Sequence, residues 1–381
     1  MRVHILGIDE LDARERYVWQ LYCQVCSLRP GVIPFPNLRK LRLYQDYEQA
    51  DRDRSILLFP SSLRELRVDF GSSAFNHSLR IAEGYLLAGA HQVPMLERLS
   101  LHGEPPPTSY MCIVEYKNLH TLDLRHSHTV DPQVYQHLIS AVSRMTKLVE
   151  FHLPDQGLNG IQEDCIPLCK GFHRLRILGI QAGPDNIIQF LNTIDAPRLR
   201  TVTCNSGNIQ STPSGWRECV RKLCSMHGAS LRSFDLRTRA LNVWAGSTGD
   251  WCHMFKDIIL PLLTLHRLEE IALEFFMVDL STKDLYDMAS AWPNLRRLKI
   301  KSKIGHLRCD HSAYNSLISL ARLCPELSHL ELVFQDEKLP DITEWPLLTH
   351  GLRELKLSVP CHVREKLGPF LNHIFPERND P

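Results

Sequence analysis

A serine, two histidines and an aspartate stand at similar places in neighbouring stretches of this chain: Ser100, His102, Asp123 and His152. Between them they could supply a nucleophile, a general base and an orienting carboxylate, or ligands for a metal ion. Hydrolase chemistry of that kind usually sets its serine on a tight strand-to-helix turn, and no Gly-x-Ser-x-Gly sequence occurs. It also needs a pocket that excludes water, whereas these residues fall on an open strand surface. A polar patch is the better reading. A hydrolase or metal enzyme built on His102, Asp123 and His152 is the minor alternative.

Two further groups carry ligand-type residues. Cys23-x2-Cys26 has the spacing of half a zinc site or a redox pair, but no second pair follows at suitable distance. Both cysteines sit on a helical apolar stripe, so core packing explains them better. Cys165-x3-Cys169-x3-His173 also has ligand spacing, but Ile166, Leu168 and Phe172 supply packing around it and no fourth ligand is evident. The 12 cysteines are irregularly spaced, with several at core-type positions such as Cys204. Free buried thiols in an intracellular protein, cytoplasmic or nuclear, fit this better than a disulfide framework. No glycine loop of Walker or dinucleotide type occurs, and no cofactor or metal is expected.

The elements that position these residues form a repeat. Between Leu38 and Leu357 one six-residue phrase, large and apolar at positions one, four and six, occurs twelve times. It opens as Leu38-Arg39-Lys40-Leu41-Arg42-Leu43 and closes as Leu352-Arg353-Glu354-Leu355-Lys356-Leu357. A fixed phrase at this period signals a solenoid of strand-plus-return units, each too small to fold without its neighbours. Positions four and six share one face of a strand, as Leu41 with Leu43 and Ile271 with Leu273; positions three, five and seven share the other. The return segments read as helices. Asp131-Pro132 and Thr212-Pro213 each place a capping side chain before a first-turn proline, and Ser281 with Asp284 forms a capping-box pattern. Five phrases are preceded by Pro-x-Leu (Pro36, Pro94, Pro197, Pro293, Pro325), where proline ends a helix and begins an extended segment. The sequence therefore predicts an α/β solenoid: a curved parallel sheet of about twelve strands with helices on its convex side. A linker or capping helix is predicted within 1–30, the solenoid over 31–360, and a capping helix with a tail over 361–381.

Phrases such as Phe35-Pro36-Asn37-Leu38-Arg39-Lys40-Leu41 and Cys324-Pro325-Glu326-Leu327-Ser328-His329-Leu330 resemble leucine-rich repeats. Their uneven length and helical returns resemble those of F-box/leucine-rich-repeat proteins, particularly the large fungal families. Glu15 to Tyr22, ending Val25-Cys26-Ser27-Leu28, is similar to the linker helix before the first repeat of that family. The resemblance implies a substrate-recognition part of an SCF-type ubiquitin-ligase receptor. Two departures are plain. Position nine, Asn or Cys in the general motif, is Asp46, Gly71, Glu104 and other residues here, so no asparagine ladder forms. Ten residues precede Leu11, too few for an F-box, so docking to the ligase adaptor is expected only if an F-box lies upstream.

Charge narrows the partner. With 44 Lys and Arg against 43 Asp and Glu, the net charge is +1, which argues against nucleic acid as the main partner. No stretch is apolar for long enough to suggest a membrane span. Arginine fills position two of seven phrases, which reads as a solvated edge with acidic residues interspersed rather than as a phosphate site. The outward positions present Arg42, Tyr44, Arg67, Asp69, His102, Asp123, Arg125, His152, Arg237, Glu274, Lys299, Lys301 and Glu331 on the concave face, with charges of both signs. That pattern suits one complementary protein surface. The segment Arg239–Trp251 belongs to the longest gap between phrases; Trp244 and Trp251 could anchor a partner there or pack beneath the loop. The predicted function is a non-enzymatic protein-interaction scaffold. The alternative to a ligase receptor is a free-standing repeat protein with an unrelated protein partner.

Overall fold

The computed structural model describes residues 5–8, 35–45, 59–70, 86–87, 89–103, 107–127, 132–153, 171–206, 213–238, 248–275, 278, 280–302, 313–333, 350–358, 368, 371–372 and 375. The chain forms two compact units, Met1–Gln181 with Asn192–Arg198, and Ala182–Leu191 with Leu199–Pro381. In the first, strands β1 (Ile5–Ile8), β2 (Lys40–Gln45), β3 (Glu65–Phe70), β4 (Arg98–Gly103), β5 (Thr121–Ser127), β6 (Glu150–His152) and β7 (Ile177–Gln181) lie side by side in chain order, all parallel. Helices α1 (Pro107–Cys112) and α2 (Pro132–Ser143) belong to the same unit. Helix α3 (Pro184–Thr193) lies mostly in the second. There β8 (Thr201–Asn205), β9 (Ser233–Arg237), β10 (Glu270–Phe275), β11 (Arg297–Ser302), β12 (His329–Val333) and β13 (Glu354–Ser358) are again parallel and in chain order. They alternate with α4 (Pro213–His227), α5 (Thr248–Leu262), α6 (Thr282–Ala291) and α7 (Ala313–Leu323). The fold is an α/β leucine-rich-repeat solenoid.

Each of the twelve phrases forms a strand, and β1 precedes them without the phrase, paired by backbone alone as Ile5 with Lys40 through Ile8 with Leu43. Inward residues are sealed: Leu66, Leu99, Leu122, Leu178, Leu236 and Leu298 are all 0% exposed. Helices cover that side. Phe255 of α5 meets Phe275 of β10 edge-on at 5.6 Å, and the indole N–H of Trp292 donates to the Leu262 carbonyl at 3.1 Å. The capping box is present: the Asp284 N–H donates to Ser281 Oγ, and the Ser281 N–H donates to the Asp284 carboxylate. Helices α2 and α4 begin at Pro132 and Pro213, as predicted.

Helices α6 and α7 end two residues before Pro293 and Pro325, and the Pro-x-Leu prolines themselves shape the turn that follows. Each proline lies inside a tight turn, and in four of them the phrase's first leucine closes it: Leu38 N–H donates to Phe35 O, Leu96 to Val93 O and Leu327 to Cys324 O at 3.0 Å, and Leu295 to Trp292 O at 3.1 Å. A ring-fixed φ suits the second position of such a turn, so proline shapes the turn itself.

A second backbone device follows. Within each unit the carbonyl at position two of the phrase, just before the strand, accepts two N–H groups from the next phrase: Arg39 O from Arg64 and Glu65, Val149 O from Arg176 and Ile177, and Glu269 O from Arg296 and Arg297. Both lone pairs of one oxygen are used, so the register is locked where the strand begins. This ladder does at the start of the strand what an asparagine ladder would do after it.

The N-terminal helix predicted between Leu11 and Leu28 lies outside the described residues, as do Cys23, Cys26, Cys165, Cys169 and the segment Arg239–Ser247. Near the C-terminus Leu371 and Phe375 are buried, and the Phe375 ring meets His350 edge-on at 5.6 Å.

Candidate functional site

Outward side chains come from alternate strand residues, so each strand offers two or three in a line. In the first unit they gather around two carboxylates. Asp69 accepts from Arg42 Nε at 2.7 Å and from Arg67 Nε at 3.0 Å, and its Oδ1 lies 3.3 Å from His102 Nδ1. Its side chain keeps only 11% exposure. The register that sets Asp69 opposite His102 and beside Tyr44 makes this cluster, and strands β2, β3 and β4 each contribute to it.

Asp123 is the second centre. Arg125, two residues along the same strand, donates to it from Nε at 3.0 Å, Nη2 at 2.6 Å and its backbone N–H at 3.1 Å. Burial alone would raise the Asp123 carboxyl; the hydrogen bonds and charge of Arg125 outweigh it and hold the group below its ordinary value. His152 Nε2 is 2.8 Å from Glu150 Oε1, and this hydrogen bond, more than any other influence, keeps Glu150 below the usual carboxylate range. The ring of His152 lies over Gly179 on β7, where a Cβ would meet Nδ1 at 2.1 Å. Only glycine leaves space for it.

A register shift in the β4–β5 pairing between Ser100 and His102 sets His102 opposite His126. Gly103 follows at φ 86°, its backbone pressed on the Phe70 carbonyl where a Cβ would lie at 1.8 Å. Such an irregularity re-aims the side chains beside it. His102 turns to Asp69.

The structure pairs these residues differently from a Ser-His-Asp relay. Register aligns Ser100, Asp123 and His152 across three strands, but Asp123 is bound to Arg125, His152 to Glu150 and His102 to Asp69. No relay connects them. Among the described residues no group of three or more His, Cys, Asp or Glu is arranged to hold a metal. Burial pushes the thiols of Cys204, Cys224 and Cys324 up to about 12, far from nucleophilic use. His173, the third member of the Cys165 run, is an exposed turn residue 3.9 Å from Asp195. No helix of the described residues is long and apolar enough to cross a membrane.

The second unit presents pairs of simpler form. Arg237 grips Asp235 through Nη2 at 2.7 Å and Nε at 3.1 Å, and that hydrogen bonding raises the guanidinium further. Glu274 stands opposite Arg237 in register and adds its charge. Glu331 lies between Lys301 at 2.8 Å and Lys299 at 3.7 Å, and Lys356 pairs with Glu354. On the helical side a groove of 480 Å³ lies between α4 and α5, bordered by Arg217, Asp257 and Leu260. Trp251 belongs to the first turn of α5 rather than to a loop, and Trp244 lies outside the described residues. Sequence reasoning left out Glu150 and Gly179 from the site. The signal for Glu150 was its place two residues before His152; for Gly179 it was a glycine at an outward position where the other phrases carry side chains.

No family model matches this chain, and no curated protein matches it. Among solved structures it is similar to the leucine-rich-repeat-containing protein LegL7 from Legionella pneumophila, at 15% identity and a TM-score of 0.46, over 77% of this chain and 95% of that one. It is also similar to the Rad7 and Elc1 complex of yeast, at 12% identity and a TM-score of 0.40, over 81% of each.

Proposed function

We propose that the protein is a non-enzymatic interaction scaffold that holds a protein partner against the outward faces of its strands. The observation that carries this is the state of the charges there. Arg42, Arg125, Arg237 and Lys301 have side chains 42–51% exposed, yet each is tied to a carboxylate on its own or a neighbouring strand. Charges held in place lose little freedom on binding, and charges of both signs reject surfaces that do not match. Serving as the substrate-recognition part of a ubiquitin-ligase receptor is the specific form of this role that the repeat style supports; a free-standing scaffold with another protein partner is the second. Neither form requires His102, Asp123 or His152 to act on a substrate.

The test is partner recovery with the face altered. Arg125→Glu and Arg237→Glu, made singly, should each reduce recovery of the same identified partner when assayed well below the melting temperature of each variant. Gln136→Glu on α2 and Lys222→Glu on α4 should leave recovery unchanged. Loss confined to the two helix variants would place the partner on the other side.

A further inference from the structure

A group of cations on the turns of the first unit is not tied down as those on the strand faces are. In the first unit, Lys117, Arg144, Lys147, Arg174, Arg176 and Arg198 are all exposed, and among the described residues the turns that carry them also hold Glu115 and Asp195. Among the described residues none of the six is in an ion pair, and Lys147 alone has a side-chain partner, the uncharged amide of Asn118. The corresponding row of the second unit is partly neutralised, since Arg232 and Arg296 lie within 3.7 Å and 3.9 Å of Glu269.

The paired N–H bonds set successive turns side by side. Val149 and Glu150 donate to His120 O, and Arg176 and Ile177 to Val149 O. Strands at about 4.8 Å spacing put the three turns before β5, β6 and β7 within roughly 10 Å. We propose that this rim is a docking strip for an acidic, extended polypeptide segment of roughly three to four residues, each advancing about 3.3 Å. The strip is too short for a duplex, which carries a charge every 1.7 Å or so and rewards a longer basic surface. Toward β4 the row turns acidic at Glu97, which pairs with Arg64, and the whole chain carries a charge of +1. A local cationic stretch on a neutral protein selects a local anionic stretch on a partner. Because the strip lies on turns and not on the strand faces, variants here and the face variants above read out separately.

The probe is a fluorescein-labelled hexaglutamate peptide, followed by anisotropy with the full chain at about 50 mM salt, where surface charge is least screened. Lys147→Glu/Arg174→Glu/Arg176→Glu should weaken binding about tenfold or more, and the same three changed to Gln should give a smaller loss in the same direction. Arg267→Glu/Arg296→Glu/Arg353→Glu, the counterpart in the second unit, should change it less than about twofold. Equal loss in both charge-reversed variants, or no measurable binding by the unaltered chain, overturns the proposal. Tighter binding of a ten-residue oligothymidylate than of the peptide overturns the partner class.

Discussion

The outward faces of the two units are built from the same phrase but hold their charges differently. In the first, Asp69 and Asp123 keep 11% and 12% side-chain exposure, enclosed by arginines and a histidine. In the second, Asp235, Glu331 and Glu354 keep 20%, 24% and 46%. Asp69 and Asp123, gripped by guanidinium forks, lie closest to the sheet; Asp235 beside Arg237 is less enclosed, and Glu331 and Glu354 beside lysines are wetter still. The first face is therefore a fixed template and the second an adaptable one. Residue type at the outward positions makes most of that difference, and the β4–β5 register shift adds His102 to the Asp69 cluster.

Changes beneath the faces should erase the contrast, since both cores are equally sealed. Leu178→Asp and Leu298→Asp, each placing a carboxylate where exposure is 0%, should cost about 4 kcal/mol apiece in urea unfolding, against less than about 0.5 kcal/mol for outward Arg297→Asp. Equal losses for core and surface would overturn the inward and outward assignment. Gly179→Ala should cost about 2 kcal/mol by driving a methyl into His152, and His152→Ala should relieve most of it. A Gly179→Ala chain as stable as the original would mean the ring has space to move.

The next effects separate the faces. Asp69→Asn leaves Arg42, Arg67 and His102 crowded without their anion and should cost about 1.5 kcal/mol; Glu331→Gln, on the wetter face, should cost about 0.5 kcal/mol. The reverse order would remove the distinction between template and adaptable face. Asp123 supplies a pH signature. Its carboxyl is depressed in the folded chain, so its contribution is present above the unfolded value near pH 4 and is lost as pH falls through the lower folded value. Melting curves from about pH 5 down to pH 3 should therefore fall less steeply for Asp123→Asn than for the unaltered protein. Parallel curves would show that the Arg125 grip adds nothing. Smallest of all, a double-mutant cycle on Lys299 and Glu331 should give a coupling below about 0.5 kcal/mol that fades with salt.

Much of the framework was legible because burial leaves a periodic mark. All twelve phrases became strands, and the Ser281 capping box and the starts at Pro132 and Pro213 appear where the pattern placed them. Strand β1 was not legible: four residues of alternation are too few to distinguish from chance, and backbone pairing with β2 supplies what the sequence lacks. The site was read only by face. Cross-strand alignment suggested Ser100, Asp123 and His152 as a set, but long side chains fold back along their own strand, as Arg125 does to Asp123, Arg237 to Asp235 and His152 to Glu150. Partner choice at two-residue spacing depends on rotamer and reach, and neither is written in a hydrophobic pattern.

The doubly used carbonyl at position two makes each repeat a cassette. Because alignment is set as a strand begins, the length that separates one phrase from the next does not change which residues pair at the strand's start. Spacing between phrases runs from 23 residues (Leu96 to Leu119) to 37 (Leu231 to Leu268), yet the strands on either side keep the same partners in the ladder. Return segments are thus free to grow, shrink or be exchanged during evolution while the displayed row stays in frame. An engineer could splice at the tight turn before any first leucine and expect the downstream face to be presented unaltered.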